Sequence, residues 1–232
     1  MGVIRKTFLE KSCLGENSLE KIQLVLASAS PRRLALLAQI GLDPDQVYAT
    51  NIDETAKLRE HPANLAKRLA KEKALKAQET FLWRRQQNQE EASVQKMVIL
   101  AADTVVAVGR TILPSPESED EAYECLRFLS GRAHKVYGAV CALNERGKIT
   151  VKLVESRVRF RRLTSALMEA YLHSGEWQGK AGGYAIQGKA GAFVVYIAGS
   201  YSNVVGLPLA ETMDLLTAYH YPILPYWNGK MH

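Results

Sequence analysis

The segment that most constrains the fold is residues 26–33, Leu-Ala-Ser-Ala-Ser-Pro-Arg-Arg. It begins at the last residue of an apolar run over residues 22–26. Ser30 suits a helix N-cap, Pro31 suits the first helical position, and Gly41 suits the end of that helix. The segment therefore predicts a strand, a tight turn and a helix. Free N–H groups at the start of this helix, with two hydroxyls and two guanidiniums beside them, favour a phosphate chain. The same pattern also fits an ordinary turn with solvated arginines.

Length and composition indicate a globular protein. The 232 residues are 47% hydrophobic and 23% charged, which allows one large domain or a two-lobed α/β domain. We expect residues 1–20 to be a flexible N-terminal extension and residues 21–232 to form a single two-lobed domain. No apolar stretch approaches the roughly 20 residues of a membrane helix, and the first residues do not resemble a signal peptide. These features, with three cysteines in neither a zinc nor a disulfide pattern, predict a cytoplasmic protein without membrane contact.

The net charge of +6 favours an anionic partner. Lys and Arg are spread along the chain instead of forming blocks, so nucleic acid is not expected as the main partner. The five histidines show no metal-ligand spacing, and motifs for a nucleophilic serine, a P-loop or a dinucleotide site are absent. The sequence predicts no organic cofactor.

The order of predicted elements is mixed α/β. An apolar run over residues 97–102 predicts a central strand that Asp103-Thr104 interrupts and that resumes over residues 105–108. The other predicted elements are a strand over 46–52, helices over 62–89 and 118–131, a hairpin over 136–160, a helix over 164–175, a glycine-rich loop over 179–191, a strand over 192–197 and a final helix ending near Tyr219. This order predicts a mixed central sheet flanked by helices, with a cleft between two lobes.

Three charged residues are candidates for chemistry. Asp103 follows a buried strand, where α/β proteins place ligands, and there it would bind a metal or take a proton from water; alternatively, it bonds backbone amides at a turn. Glu54, at the end of the predicted second strand, is a second carboxylate for the same place, or part of a solvated loop. Lys73 lies beside the apolar stripe of its helix and either reaches phosphates or extends to water.

Residues 180–189 form the densest glycine segment of the chain. Glycines permit close backbone approach to a ligand, and Gln187 offers both a donor and an acceptor to a base edge. A hairpin with flexible turns explains the glycines equally well.

Several segments, in this order, resemble the Maf family of nucleotide pyrophosphatases. The resemblance covers nearly the whole chain after Gln23. It rests on residues 26–33, 53–54, 68–74, 102–104, 129–132, 180–188 and 199–209. The resemblance implies a Maf/inosine-triphosphatase-like α/β fold with two lobes around a deep cleft, and a homodimer. It also implies cleavage of a nucleoside triphosphate between the α and β phosphates, aided by a divalent metal such as magnesium or manganese.

The resemblance also implies roles for individual residues. Asp103 would be the proton acceptor that activates water, and Glu54 would hold the metal beside it. The triphosphate would be held by four residues: Ser28, Arg32, Arg33 and Lys73. Arg32 also matches a position linked to base selection in the family, as do Thr104 and Gln187.

The motifs resemble the branch of the family that acts on dTTP and UTP. Members that prefer 7-methyl-GTP typically have Trp before the second arginine and Glu in place of Gln187. Many members have Lys-Pro where this chain has Ser115-Pro116, which removes one candidate phosphate ligand. Two alternatives stay open: a pyrophosphatase for modified nucleotides such as 5-methyl-UTP or 7-methyl-GTP, and a nucleotide-sensing or nucleic-acid-binding factor in cell division and septum formation.

Overall fold

The computed structural model describes residues 22–87 and 96–228. Within them, the strands are β1 (Gln23–Ala27), β2 (Gln46–Val47), β3 (Met97–Val108), β4 (Thr111–Leu113), β5 (Ala133–Asn144), β6 (Ile149–Phe160) and β7 (Val194–Ala198). The helices are α1 (Pro31–Gln39), α2 (Pro62–Gln87), α3 (Glu119–Leu129), α4 (Ser165–Leu172), α5 (Tyr201–Val205), α6 (Leu209–Ala218) and α7 (Ile223–Trp227). Two short 3₁₀ turns, Ala181–Gly183 and Lys189–Phe193, precede β7.

All seven strands belong to one mixed sheet in the order β2-β1-β3-β5-β6-β7, with β4 also paired to β3. β1 runs parallel to β2 and β3, whereas β3, β5, β6 and β7 pair antiparallel in succession. The predicted hairpin is confirmed as β5 and β6, with Ala133 opposite Arg159 and Leu143 opposite Ile149. The sheet therefore has a parallel part and an antiparallel part, and β3 belongs to both.

Side chains of the central strands alternate between two apolar cores, because successive residues of a strand point to opposite faces. Leu24 and Leu26 of β1 join the core formed with α1, α3, α4 and α6. Val25 and Ala27 join the core beneath α2. Burial on both faces accounts for the continuous apolar runs, and the predicted mixed sheet flanked by helices is confirmed.

The α2 helix packs one face of the sheet with a stripe of leucines and alanines. Leu65, Leu69, Ala70 and Ala74 are at most 3% exposed and contact the side chains of β3 and β5. Lys73 lies in this stripe and is itself buried. The predicted helix over 62–89 is confirmed as far as Gln87, and its last two residues lie outside the described residues.

Two predicted strands differ from the structure. The strand expected over residues 46–52 is only two residues long, because its partner β1 ends at Ala27 and offers no further ladder. The predicted interruption at Asp103 is wrong: β3 continues through it, since β5 keeps pairing with β3, Asp103 lying opposite Ala139. What ends near Asp103 is β1, whose last paired residue faces Ala101.

Helix boundaries follow the local signals. Pro31 begins α1, and Gly41 at φ +70° closes it by donating its N–H to the Ala38 carbonyl. The Ser118 hydroxyl accepts from the Glu121 N–H, as the capping pattern predicts. The final predicted helix is confirmed as α6, whereas α5 and α7 were not predicted.

No helix in residues 22–87 or 96–228 is long and apolar enough to cross a bilayer. The predicted extension over residues 1–20 lies outside the part of the chain that the structure describes.

Candidate active site

A cavity of about 170 Å³ opens where β1 stops and β3 continues. Asp103 and Thr104 both line it, although neighbouring residues of a strand point to opposite faces of the sheet. Both reach the cavity because β3 has no strand partner on its β1 side between Ala101, where the pairing with β1 ends, and Val106, where the pairing with β4 begins. Most of its other lining residues come from α1, α2, α5, the loop that carries Glu54, the loop after β4 and the segment around the first 3₁₀ turn. The end of the parallel pairing therefore places the site, as the sequence predicts for α/β sheets.

Lys73 joins two carboxylates at the floor of this cavity. Its Nζ lies 2.7 Å from Asp103 Oδ1 and 2.7 Å from Glu54 Oε1. Lys73 and Asp103 are 7% and 5% exposed, whereas the Glu54 side chain is 57% exposed. Removing Lys73 would leave the buried Asp103 carboxylate without its ion-pair partner. The ammonium fixes the position of the carboxylate.

Arg33 is anchored on two sides before any ligand arrives. Its Nε donates to the Gly206 carbonyl at 2.9 Å, and its Nη1 donates to the Ser28 hydroxyl at 3.1 Å. Burial lowers the pKa of Arg33, and the nearby charges of Asp103 and Glu54 oppose that shift. Ser28 contacts Arg33 but does not itself line the cavity, whereas Ser30 does. The Ser30 hydroxyl makes no cap hydrogen bond to α1.

Arg32 separates the cavity from a second groove. Its Nη2 donates to the Gly179 carbonyl at 3.1 Å, and it lines both spaces. Burial, followed by the charge of Arg33, lowers the pKa of Arg32 to about 10, so it stays cationic at neutral pH. The groove, of about 580 Å³, is lined by Gln187 but not by Asp103. Arg32 thus connects the catalytic candidates to Gln187.

Thr104 carries a buried hydroxyl that is unpaired among the described residues. An unsatisfied polar atom of this kind costs about 1–3 kcal/mol of free energy. Because Thr104 and Asp103 line the same cavity, a polar atom of a ligand bound beside Asp103 would make the missing hydrogen bond to the Thr104 hydroxyl.

Arg68 is a residue whose role sequence reasoning missed. Its guanidinium grips the Glu60 carboxylate through two hydrogen bonds of 2.9 Å and donates to the Thr55 carbonyl at 2.9 Å. These bonds lower the pKa of Glu60 to about 2. The loop that carries Glu54 is therefore tied to α2, the helix that carries Lys73. Glu60, eight residues before Arg68, carried no sequence signal for this contact.

Asn203 was also missed as a structural anchor. It is fully buried, and its Nδ2 donates to the Val136 carbonyl at 3.2 Å and to the Ser156 hydroxyl at 3.0 Å. Gly138 makes room for it, because a Cβ there would overlap Asn203 Oδ1. Asn203 thereby fixes α5, whose C-cap Gly206 holds Arg33.

A divalent cation fits the donor set. Glu54 and Asp103 are oxygen donors that already converge on one cation, the Lys73 ammonium. No group of three His, Cys, Asp or Glu residues suited to a metal occurs in the described chain. Mg²⁺ is commonly held by one or two carboxylates, with substrate phosphates and water completing its shell. The two carboxylates therefore suit a metal that arrives with a phosphorylated substrate.

Comparison with known proteins identifies the family of this chain. Residues 23–219 match the family model described as Maf-like protein. The chain belongs to the Maf-like protein family. A relative from Bartonella henselae, named dTTP/UTP pyrophosphatase, is 88% identical over the full length of both chains. A relative of the same name from Brucella abortus is 56% identical, covering 90% of this chain and 98% of its own.

Among solved structures, a nucleoside-triphosphatase / dITP/XTP pyrophosphatase from Mycobacterium abscessus is similar to this Maf-like chain with a TM-score of 0.36. It is 15% identical and covers 62% of this chain and 76% of its own.

The structure brings most of the predicted site residues of this Maf-like chain together. Six of them line the cavity: Arg32, Arg33, Glu54, Lys73, Asp103 and Thr104. Gln187 lies apart, in the groove beyond Arg32. Ser28 acts on the cavity through its hydrogen bond to Arg33. Ser115, an uncharged residue, also lines the cavity.

Proposed function

We propose that this chain hydrolyses dTTP and UTP to the nucleoside monophosphate and pyrophosphate. The observation that carries this proposal is one cavity in which Arg32, Arg33 and Lys73 meet the carboxylates of Asp103 and Glu54. Three cationic side chains can neutralise the negative charge of a triphosphate. A buried carboxylate can accept a proton from the attacking water. The names of the relatives from Bartonella and Brucella support the same reaction and the same substrates.

Asp103 is the proposed general base. It is buried at the cavity wall, and its Oδ1 is held by Lys73 at 2.7 Å. Asp103 takes a proton from a water molecule, and the resulting hydroxide attacks the anhydride between the α and β phosphates in line with the leaving pyrophosphate. Lys73 holds the carboxylate in position until the proton is transferred.

The arginines stabilise charge on the substrate. Phosphoryl transfer depends mainly on positioning and on neutralising charge at the phosphoryl and leaving oxygens. Arg33 is held in advance by Ser28 and Gly206, so little rearrangement is needed when the triphosphate binds. Glu54 and Asp103 would hold Mg²⁺ or Mn²⁺, which, when bound, would supply further positive charge to the phosphate oxygens.

Gln187 and Arg32 are the proposed base-reading residues. The groove they share adjoins the cavity, so a nucleoside there places its phosphates toward Asp103. The Gln187 amide offers a donor and an acceptor, which matches the alternating N–H and carbonyl groups of thymine and uracil. The unpaired Thr104 hydroxyl gives a third polar contact near the phosphate end.

A nucleotide panel tests the proposal. The purified chain is incubated with Mg²⁺ or Mn²⁺ and each of dTTP, UTP, 5-methyl-UTP, 7-methyl-GTP and dATP, and pyrophosphate and orthophosphate are measured separately. We expect pyrophosphate, equal in amount to the monophosphate, with dTTP and UTP preferred. Orthophosphate without pyrophosphate would reject the bond assignment, and preference for 7-methyl-GTP would reject the substrate assignment.

A further inference from the structure

Lys180 is a cation at the junction of the two spaces. It lines both the cavity that holds Asp103 and the groove that holds Gln187. Arg32 is the other cation shared by the two. The α-phosphate is the part of a nucleotide that joins the nucleoside to the other phosphates, so it must lie at this junction if the base occupies the groove.

The ammonium of Lys180 makes no ion pair within the described chain. Its Nζ donates to the Gln178 carbonyl at 2.7 Å, and no carboxylate of the described chain lies within salt-bridge distance of it. Glu176, the nearby acid, pairs instead with Lys189 at 2.8 Å. Lys73, by contrast, already contacts two carboxylates. Partial burial and the charge of Arg32 lower the pKa of Lys180, and the charge of Glu176 opposes that shift. An anion bound beside the ammonium would offset the burial and the repulsion by Arg32.

The backbone around Lys180 is fixed against the opposite wall. Gly182 donates its N–H to the Pro114 carbonyl at 2.8 Å, immediately before Ser115. Gly182 adopts φ +70°, and an added Cβ would lie 3.1 Å from a methyl carbon of Val106. Only glycine suits this position, because the left-handed conformation and close packing both exclude a side chain. Lys180 is therefore carried by a rigid turn, and it lies next to a wall whose own side chain, Ser115, is uncharged.

We propose that Lys180 binds the α-phosphate of the nucleotide and supplies the positive charge that Ser115 does not. The inference rests on the proposed function, because it takes the groove as the base site. Its ammonium exchanges the Gln178 carbonyl for a phosphate oxygen when the nucleotide binds. Loss of this charge should weaken every ligand that carries an α-phosphate and spare the nucleoside.

The test compares Lys180→Met with the unaltered chain by measuring dissociation constants for thymidine, dTMP and an α,β-imido analogue of dTTP. We expect roughly ten- to a hundredfold weaker binding of dTMP and of the analogue, the range for one charge-assisted hydrogen bond, with thymidine unchanged. Lys180→Arg should restore most of the affinity. Lys180→Gln provides the same measurement if the methionine variant folds poorly, and Lys152→Met, on the surface of β6, is the matched control.

Equal weakening of thymidine and dTMP would overturn the proposal, because it would show a defect in the base groove. Unchanged dTMP binding, in a chain that releases pyrophosphate from dTTP, would overturn the role of Lys180 alone. Failure of the unaltered chain to release pyrophosphate would overturn the proposed function and this role together.

Discussion

Acid should destabilise this fold through one buried histidine. His134 on β5 is 2% exposed, and burial lowers its pKa from 6.5 to about 4. Its Nε2 lies 2.7 Å from the Tyr184 hydroxyl, while its Nδ1 is unpaired among the described residues. Phe160 packs edge-on against the ring at 5.1 Å. A proton added to this ring would create a charge in an apolar core, with no acid partner among the residues that the structure describes.

The sign and size of the effect follow from linkage. Because the pKa of His134 is lower in the folded state, the unfolded state binds more protons between pH 4 and 6.5. The stabilisation is complete above pH 6.5 and is lost as the pH falls toward 4. At 1.36 kcal/mol per pKa unit, the shift corresponds to about 3 kcal/mol of unfolding free energy.

Urea denaturation between pH 4 and 7, followed by circular dichroism, measures this loss. The His134→Phe variant lacks the titrating ring, so its unfolding free energy should fall less steeply with acid, by up to about 1.4 kcal/mol per pH unit. Comparing slopes removes the constant cost of the lost Tyr184 hydrogen bond. His173→Gln, an exposed change on the end of α4, is the control and should keep the parent slope. A His134→Phe slope equal to that of the unaltered chain would refute the reasoning.

Three further predictions concern the site and its supports. Gln187→Glu should change the ranking of dTTP and UTP among nucleotides more than the turnover rate, and an unchanged ranking would remove Gln187 as a base-reading residue. Arg68→Ala should lower kcat/KM for dTTP by about tenfold through a loosened Glu54 loop, since charge-assisted hydrogen bonds contribute about 1.5–3 kcal/mol each; parent-like kinetics would contradict this. Gly138→Ala should lower the unfolding free energy by about 1–3 kcal/mol, as overpacking does, because its Cβ would overlap Asn203; equal thermal stability would contradict the close approach.

Local signals in the sequence were sufficient for the first part of the fold. The Ser-Pro start and glycine end of α1 act within a few residues, so the strand, turn and helix were predicted with their boundaries. The apolar spacing of α2 placed Lys73 beside the core for the same reason. The two-residue length of β2 was not predictable, because it depends on where its partner β1 ends.

The site was predictable as a set of residues and not as a geometry. Asp103 and Lys73 were candidates from their sequence surroundings, but their contact joins residues 30 positions apart and depends on packing of α2 on β3. No local sequence pattern indicated the hydrogen bonds between Arg68 and Glu60 or those that Asn203 makes to Val136 and Ser156. The homodimer, the cytoplasmic location and the flexible extension over residues 1–20 stay predictions.

The most direct measurement of the central claim is turnover by Asp103→Asn, with Asp120→Asn, a change at an exposed residue of α3, as the matched control. Pyrophosphate release from dTTP in the presence of Mg²⁺ is followed alongside metal-free binding of the α,β-imido analogue of dTTP. Loss of a general base predicts a fall in kcat of about 10²–10⁴-fold, with analogue binding largely retained. Turnover by Asp103→Asn at the rate of the unaltered chain would contradict the assignment of Asp103 as the base.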